Sequence, residues 1–188
     1  MAGFDFEKVV RFAARLPPGA LQPREDARLP FLTEDDLVGG SLMLDTCVYV
    51  DQLQGRLPEP VEKAVGSRVS HHSSVCVGEM SHVLGALRPD DRRTPGAIEA
   101  IRRLIAAIPS LRVHAPEVQT VAMAGALSGV LCRTMGYGGD SKLRAFNDAV
   151  IYLQSVRQGF TVVSRNAGDF DLLQQMVPAG RILLYRRA

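Results

Sequence analysis

From residue 42 onward, short apolar runs of strand length alternate with longer segments of helical spacing, an order that limits the chain to a parallel sheet covered by helices. Residues 42–44, 69–75, 111–114, 160–164 and 182–185 read as five strands. Residues 59–64, 76–87, 95–108, 116–135, 145–158 and 170–176 read as the helices between them, and Asp45 stands where a further helix would begin. Pro116 lies near the start of the longest helix, Gly136 follows its end, and Gly159 closes the next, which matches the usual placing of these residues. Such a sheet carries helices on both faces and binds ligands beyond the carboxyl ends of its strands.

The first 41 residues have a different character. Residues 4–16 have helical spacing, with Asp5 and Glu7 early and Arg11 and Arg15 late, as the helix dipole favours. Pro17-Pro18-Gly19 stops that helix, and loop composition with Pro23, Pro30 and Glu34-Asp35-Asp36 runs on to Gly39-Gly40-Ser41. The expected organisation is a helical and loop extension, residues 1–41, followed by one domain, residues 42–188. A chain of 188 residues can bury a sizeable core. Its net charge of +2 is too small to mark a nucleic-acid binder, so Arg92-Arg93, Arg102-Arg103 and Arg186-Arg187 read as ordinary surface. Cys47, Cys76 and Cys132 are odd in number and form no CxxC pair, which fits neither a disulfide framework nor a zinc knuckle and points to a reducing cytoplasm. No secretory signal and no run of membrane-spanning length is expected.

Four acids stand at strand-to-helix junctions: Asp45 after the first strand, Glu79 one turn into the helix after Ser73-Ser74-Val75, Asp148 beside Asn147, and Asp169 after Ser164-Arg165-Asn166. Each has a simpler role. Asp45 can cap a helix, Glu79 complements a helix dipole, and Asp169 sits in a turn. Asp148 is the hardest to explain so, because its neighbours Phe146, Ala149, Val150 and Ile151 belong near the start of a largely buried helix, where an unpaired carboxylate is costly. If the four regions converge, their charges repel unless they are protonated or bridged by a cation, and an all-oxygen ligand set favours Mg²⁺ or Mn²⁺. Other signals are weaker. Glu79-x-x-His82 is a single copy of a spacing that di-iron proteins use twice, His71-His72 has no ligand partner at a recognised spacing, and Gly136-Tyr137-Gly138-Gly139-Asp140 lacks the strand and Lys of a P-loop. That glycine-rich stretch reads as a flexible connection, and its Tyr137 offers an aromatic face on which a base could stack.

Leu44-Asp45-Thr46, Ser73-Ser74-Val75 leading to Glu79, Asn147-Asp148-Ala149-Val150-Ile151, and Val163-Ser164-Arg165-Asn166 followed by Asp169-Phe170 occur in an order that resembles the PIN-domain nucleases, particularly the VapC-type ribonuclease toxins. The resemblance spans about residues 42–188. It implies a three-layer α/β/α fold with a five-stranded parallel sheet. Asp45, Glu79 and Asp148 match the three acids around the metal, Asp169 the more variable fourth, and Asn166 shares that role. Thr46 and Ser164 match hydroxyl positions beside the acids. The implied activity is hydrolysis of RNA phosphodiester bonds assisted by Mg²⁺ (or Mn²⁺), with Lys142, Arg144 and Arg165 steering the RNA backbone. The implied partners are a cognate antitoxin protein and a second copy in a homodimer. The chain departs from the pattern in Cys47, where the family often has Asn or Ser, and in an extension longer than a compact toxin carries. Two other readings follow from the same motifs: a PIN-domain RNA-processing nuclease outside a toxin–antitoxin pair, and a catalytically silent PIN-like interaction module.

Overall fold

The computed structural model describes residues 3–187. Five strands, β1 (Leu42–Leu44), β2 (Ser70–Ser73), β3 (Val113–His114), β4 (Thr161–Ser164) and β5 (Arg181–Leu184), form one sheet in the order β3-β2-β1-β4-β5. All four pairings are parallel. Leu42, Met43 and Leu44 are buried, as are Val162, Val163, Ile182, Leu183 and Leu184, as expected of parallel strands covered on both faces. The structure thus has the five-stranded parallel sheet that the sequence predicts.

The crossovers are helical. α2 (Thr46–Leu53), α3 (Glu59–Ser67), α4 (Ser74–Ala86) and α5 (Thr94–Ala106) carry the chain from β1 through β2 to β3. α6 (Val118–Met135) and α7 (Asp140–Gln158) bring it back to β4, and α8 (Ala167–Met176) leads to β5. Right-handed crossovers then place α2 to α5 on one face and α6 to α8 on the other. The order of strands across the sheet therefore reverses between β1 and β4, and the crevice for ligands opens beyond the carboxyl ends of these two strands.

Most element ends shift by a few residues from the sequence reading, and two of these shifts bear on the site. β2 spans only Ser70–Ser73, because the Ser73 side chain accepts a hydrogen bond from the Val75 N–H and caps α4 there. α7 begins at Asp140, five residues before the predicted start, so Asp148 lies about two turns into the helix instead of near its start. The first turn of α7 exposes Lys142, Leu143 and Arg144 and buries nothing until Ala145, so no apolar spacing marks it. β2 is also polar, Ser-His-His-Ser, and its two imidazoles are satisfied by side chains. His72 Nδ1 is 2.6 Å from the Tyr49 hydroxyl, and His71 Nδ1 is 2.8 Å from His114 Nε2, with the His71 ring stacked on Phe160. Burial, then the neighbouring His71 and Arg112, pushes His72 down to about 4, so it is neutral at pH 7.

Residues 3–41 pack on the domain. Their helix α1 (Phe6–Ala13), capped by Asp5, lies against α6, with the Asp5 N–H donating to Gln119. Further on, the Leu184 N–H donates to the Pro30 carbonyl and the Leu32 N–H to the Leu184 carbonyl, which covers the outer edge of β5. The fastening is Asp171 of α8, which is 1% exposed. It pairs with the Arg24 guanidinium and accepts the Arg24 N–H at 2.7 Å and Gln175 Nε2 at 3.0 Å. Arg24→Met leaves that buried carboxylate without its cation, and the expected loss is about 3 kcal/mol of unfolding free energy, measured by urea denaturation.

Candidate active site

Asp45 is the last residue before α2, and its backbone still belongs to the sheet, its N–H donating to the Val163 carbonyl at 3.1 Å. Its side chain accepts the Thr46 N–H at 2.7 Å, which is the helix cap that the sequence suggests. On its second oxygen it accepts Ser164 Oγ at 2.6 Å and the Cys47 thiol at 2.9 Å. The Ser164 bond crosses the β1/β4 crevice and joins segments 119 residues apart. Ser164 in turn accepts the Asn166 N–H at 2.9 Å, which fixes the turn into α8.

The other acids enter from three directions. Glu79 projects from α4 and accepts from the Thr46 hydroxyl and, at 2.8 Å, from Asn147 Nδ2 of α7. Asp148 follows Asn147 on the same helix and accepts Asn166 Nδ2 at 2.8 Å. The same amide donates to Asp169 at 2.8 Å, and the Tyr137 hydroxyl donates to the other Asp169 oxygen at 2.5 Å. Asp45, Thr46, Glu79, Asp148, Asn166 and Asp169 line one cleft of about 670 Å³, with Arg144 and Arg165 at its wall. Ser164 is buried beneath it. Lys142 is exposed and lies outside that lining.

The electrostatics are those of crowded negative charge. Asp45 is 4% exposed and Asp148 8%. Burial raises the Asp45 carboxyl above its usual range, with Glu79 adding to the rise and the bonds from Cys47 and Ser164 opposing it. Asp148 is raised well above the usual range, first by burial and then by the charges of Asp45, Asp169 and Glu79. Among the described residues, no three His, Cys, Asp or Glu side chains are gathered closely enough to hold an ion as they stand. Glu79 and Asp169 are instead tied to neutral donors of the chain. The donor chemistry still fits a hard divalent cation: every acid in the cleft offers oxygen, and magnesium binds through one or two carboxylates while keeping several waters.

Three roles in the site carry no clear signal in the sequence. Asn147 fastens Glu79 across the helix layers, Tyr137 fastens Asp169, and Asp51 lies fully buried under the crevice. Asp51 holds Arg187 Nε at 2.8 Å and the Tyr185 hydroxyl at 2.9 Å, and Arg165 Nε is 2.9 Å away, though not aligned as a hydrogen bond. Arg165, expected to face RNA, is therefore paired inward as well as lining the cleft. The one available sign of Asp51 is an acid directly after the apolar stretch Val48-Tyr49-Val50.

No protein-family model matches the sequence, and no curated protein matches it. Solved structures do. The chain is similar to VapBC2 from Rickettsia felis bound to a DNA fragment from their promoter, at 14% identity and a TM-score of 0.55 over 78% of this chain and 99% of that one. It is similar to FitAcB from Neisseria gonorrhoeae, at 20% identity and a TM-score of 0.55 over 76% and 96%, and to DNA-bound VapBC from Salmonella typhimurium, at 19% and 0.53 over 77% and 97%. At such identities the likeness is one of fold, and it bears out the three-layer α/β/α PIN-like architecture expected from the sequence.

The raised carboxyls set the pH dependence of the metal-free chain. Asp45 and Asp148 bind protons more tightly folded than unfolded, so their contribution to stability is fully present below the usual carboxylate range and is lost as the pH rises through their raised folded values. Asp148→Asn removes one of the crowded charges. In thermal unfolding at pH 7 without divalent ions it is expected to raise the Tm by about 2–4 °C, the shift that roughly 1 kcal/mol gives a domain of this size.

Proposed function

We propose that this chain is a divalent-metal-dependent ribonuclease that hydrolyses RNA phosphodiester bonds and acts as the toxin of a toxin–antitoxin pair. The observation that carries the reading is the convergence of Asp45, Glu79, Asp148 and Asp169 from four separate segments on one cleft at the carboxyl end of a parallel sheet. Burial and mutual repulsion hold two of these carboxyls above their usual range, and a cation relieves both. The similarity of fold to proteins of VapBC and FitAB complexes supports the toxin reading and a cognate antitoxin as partner. No helix among the described residues is long and apolar enough to cross a membrane, and the proposed place of action is the cytoplasm, where RNA is available.

In this reading Asp45, Glu79, Asp148 and Asp169 hold Mg²⁺ or Mn²⁺. The ion, when bound, lowers the pKa of a coordinated water and stabilises charge developing on the phosphate. The residues of the chain supply the rest. Ser164 and the Thr46 N–H keep the Asp45 carboxylate facing the cleft, Asn147 and Thr46 orient Glu79, and Asn166 spans Asp148 and Asp169. Arg144, at the cleft wall, draws the RNA backbone toward an otherwise acidic surface, and Arg165 adds to that field while anchored to Asp51.

Purified protein and Asp148→Asn, incubated with mixed cellular RNA with and without Mg²⁺ or Mn²⁺, test the proposal. Cleavage is expected only with the metal, and the variant is expected to cleave about 100-fold more slowly or worse, the scale on which loss of one charge-organising group acts. Cleavage in EDTA, or equal cleavage by the variant, overturns it.

A further inference from the structure

Carboxylates, a metal and arginines can all engage the phosphates of a substrate, but none of them holds a base. Among the described cleft-lining residues, Tyr137 supplies the one aromatic ring. It stands in the connection between α6 and α7, half-buried, with part of its side chain packed against the core. The hydroxyl, bound to Asp169 at 2.5 Å, ties the far end of the ring to the acid cluster. The space beside its neighbours is open: Gly136, Gly138 and Gly139 carry no side chain, and a Cβ added at any of the three would meet nothing within 4 Å outside the adjoining residues. Gly136 and Gly139 have φ values of 70° and 52°, so a larger residue at either is strained. The same cleft exposes apolar surface from Val83, 38% exposed, and from Val50. Its volume, about 670 Å³, has room for more than hydrated metal and phosphate, since pockets for small organic ligands span roughly 300–1,000 Å³.

We infer that Tyr137 forms a nucleobase subsite at the rim of the acidic cleft, stacking on a base adjacent to the scissile phosphate of single-stranded RNA. The inference rests on the ribonuclease reading and adds what that site takes from its substrate beyond phosphate. Stacking of this kind tolerates all four bases, because each has a π-face, and it requires an unpaired strand whose bases can splay out. Tyr137 therefore selects single strands over duplexes.

The chain contains no tryptophan, so Tyr137→Trp places a single indole at the proposed subsite. With Asp148→Asn present to suppress cleavage, this variant is titrated with a single-stranded oligoribonucleotide, with an abasic oligomer of equal length, and with duplex RNA. Binding is followed in parallel by the anisotropy of a labelled strand. Quenching of the indole by the single strand is expected, and none by the abasic or duplex ligand. In the same background, Tyr137→Ala is expected to weaken single-strand binding about tenfold, within the range that loss of one base–aromatic stack brings, without changing abasic binding. Tyr137→Phe, which keeps the ring and loses the bond to Asp169, is expected to bind like the parent. Binding that persists without quenching, or equal affinity of the Ala variant and its parent, overturns the subsite alone. Failure of every variant to bind RNA overturns the subsite, while the ribonuclease reading stands or falls separately by the metal-dependent cleavage of the unsubstituted protein.

Discussion

Negative charge buried at the end of a parallel sheet is the constraint on which the rest of the molecule depends. Asp45 and Asp148 are nearly inaccessible, lie near Glu79 and Asp169, and are held in place by residues from α2, β4 and the turn into α8. An isolated buried carboxylate would turn outward or take a proton. Here each is fixed by neutral donors: Ser164 and the Thr46 N–H on Asp45, Asn166 on Asp148. Neutral donors orient a carboxylate without cancelling its charge, so the cleft keeps an unmet demand for positive charge. A structural ion pair would have cancelled it.

Asp51 and Asp171 show the contrast. Both are as buried as the cleft acids, yet each has its own arginine: Arg187 and Arg165 at Asp51, Arg24 at Asp171. These pairs do structural work. Asp51 ties α2 to the end of β5 and to the β4–α8 turn that carries Asn166, while Asp171 ties α8 to the extension. Along the edge of β5, the backbone of residues 30–32 adds its own hydrogen bonds, and the Arg186 guanidinium lies 4.8 Å from the centre of the Phe31 ring. Among the described residues the buried acids therefore sort into two kinds, those neutralised inside the fold and those left facing a cleft.

Much of this was legible in the sequence because buried parallel strands are apolar throughout. Leu42-Met43-Leu44 and Thr161-Val162-Val163 announce themselves, and an acid or serine just beyond them marks the sheet's carboxyl edge. What was not legible has physical causes. The first turn of α7 faces solvent and leaves no periodic trace, which misplaced Asp148 within its helix. Asn147 and Tyr137 are ordinary polar residues whose roles depend on Glu79 and Asp169, 68 and 32 residues away. The inward pairing of Arg165 could not be read, because Asp51 had no recognised role until β5 was laid beside β4.

Cys47 is where the chain departs from the pattern it otherwise resembles, and its chemistry fits the same demand for positive charge. Its thiol lies 2.9 Å from Asp45 Oδ2, accepts the Arg165 N–H, and is pushed upward in pKa first by burial and then by the Asp45 charge. It therefore stays protonated and adds no negative charge to the cleft. A thiol is also a weaker hydrogen-bond donor than an amide or a hydroxyl. Most of the hydrogen bonding to that oxygen then falls to Ser164 at 2.6 Å, and Asp45 is left less satisfied by the protein than an Asn or Ser at residue 47 would leave it. A carboxylate held in position but incompletely satisfied gains the more from a cation, and that gives Asp45 its weight among the four acids.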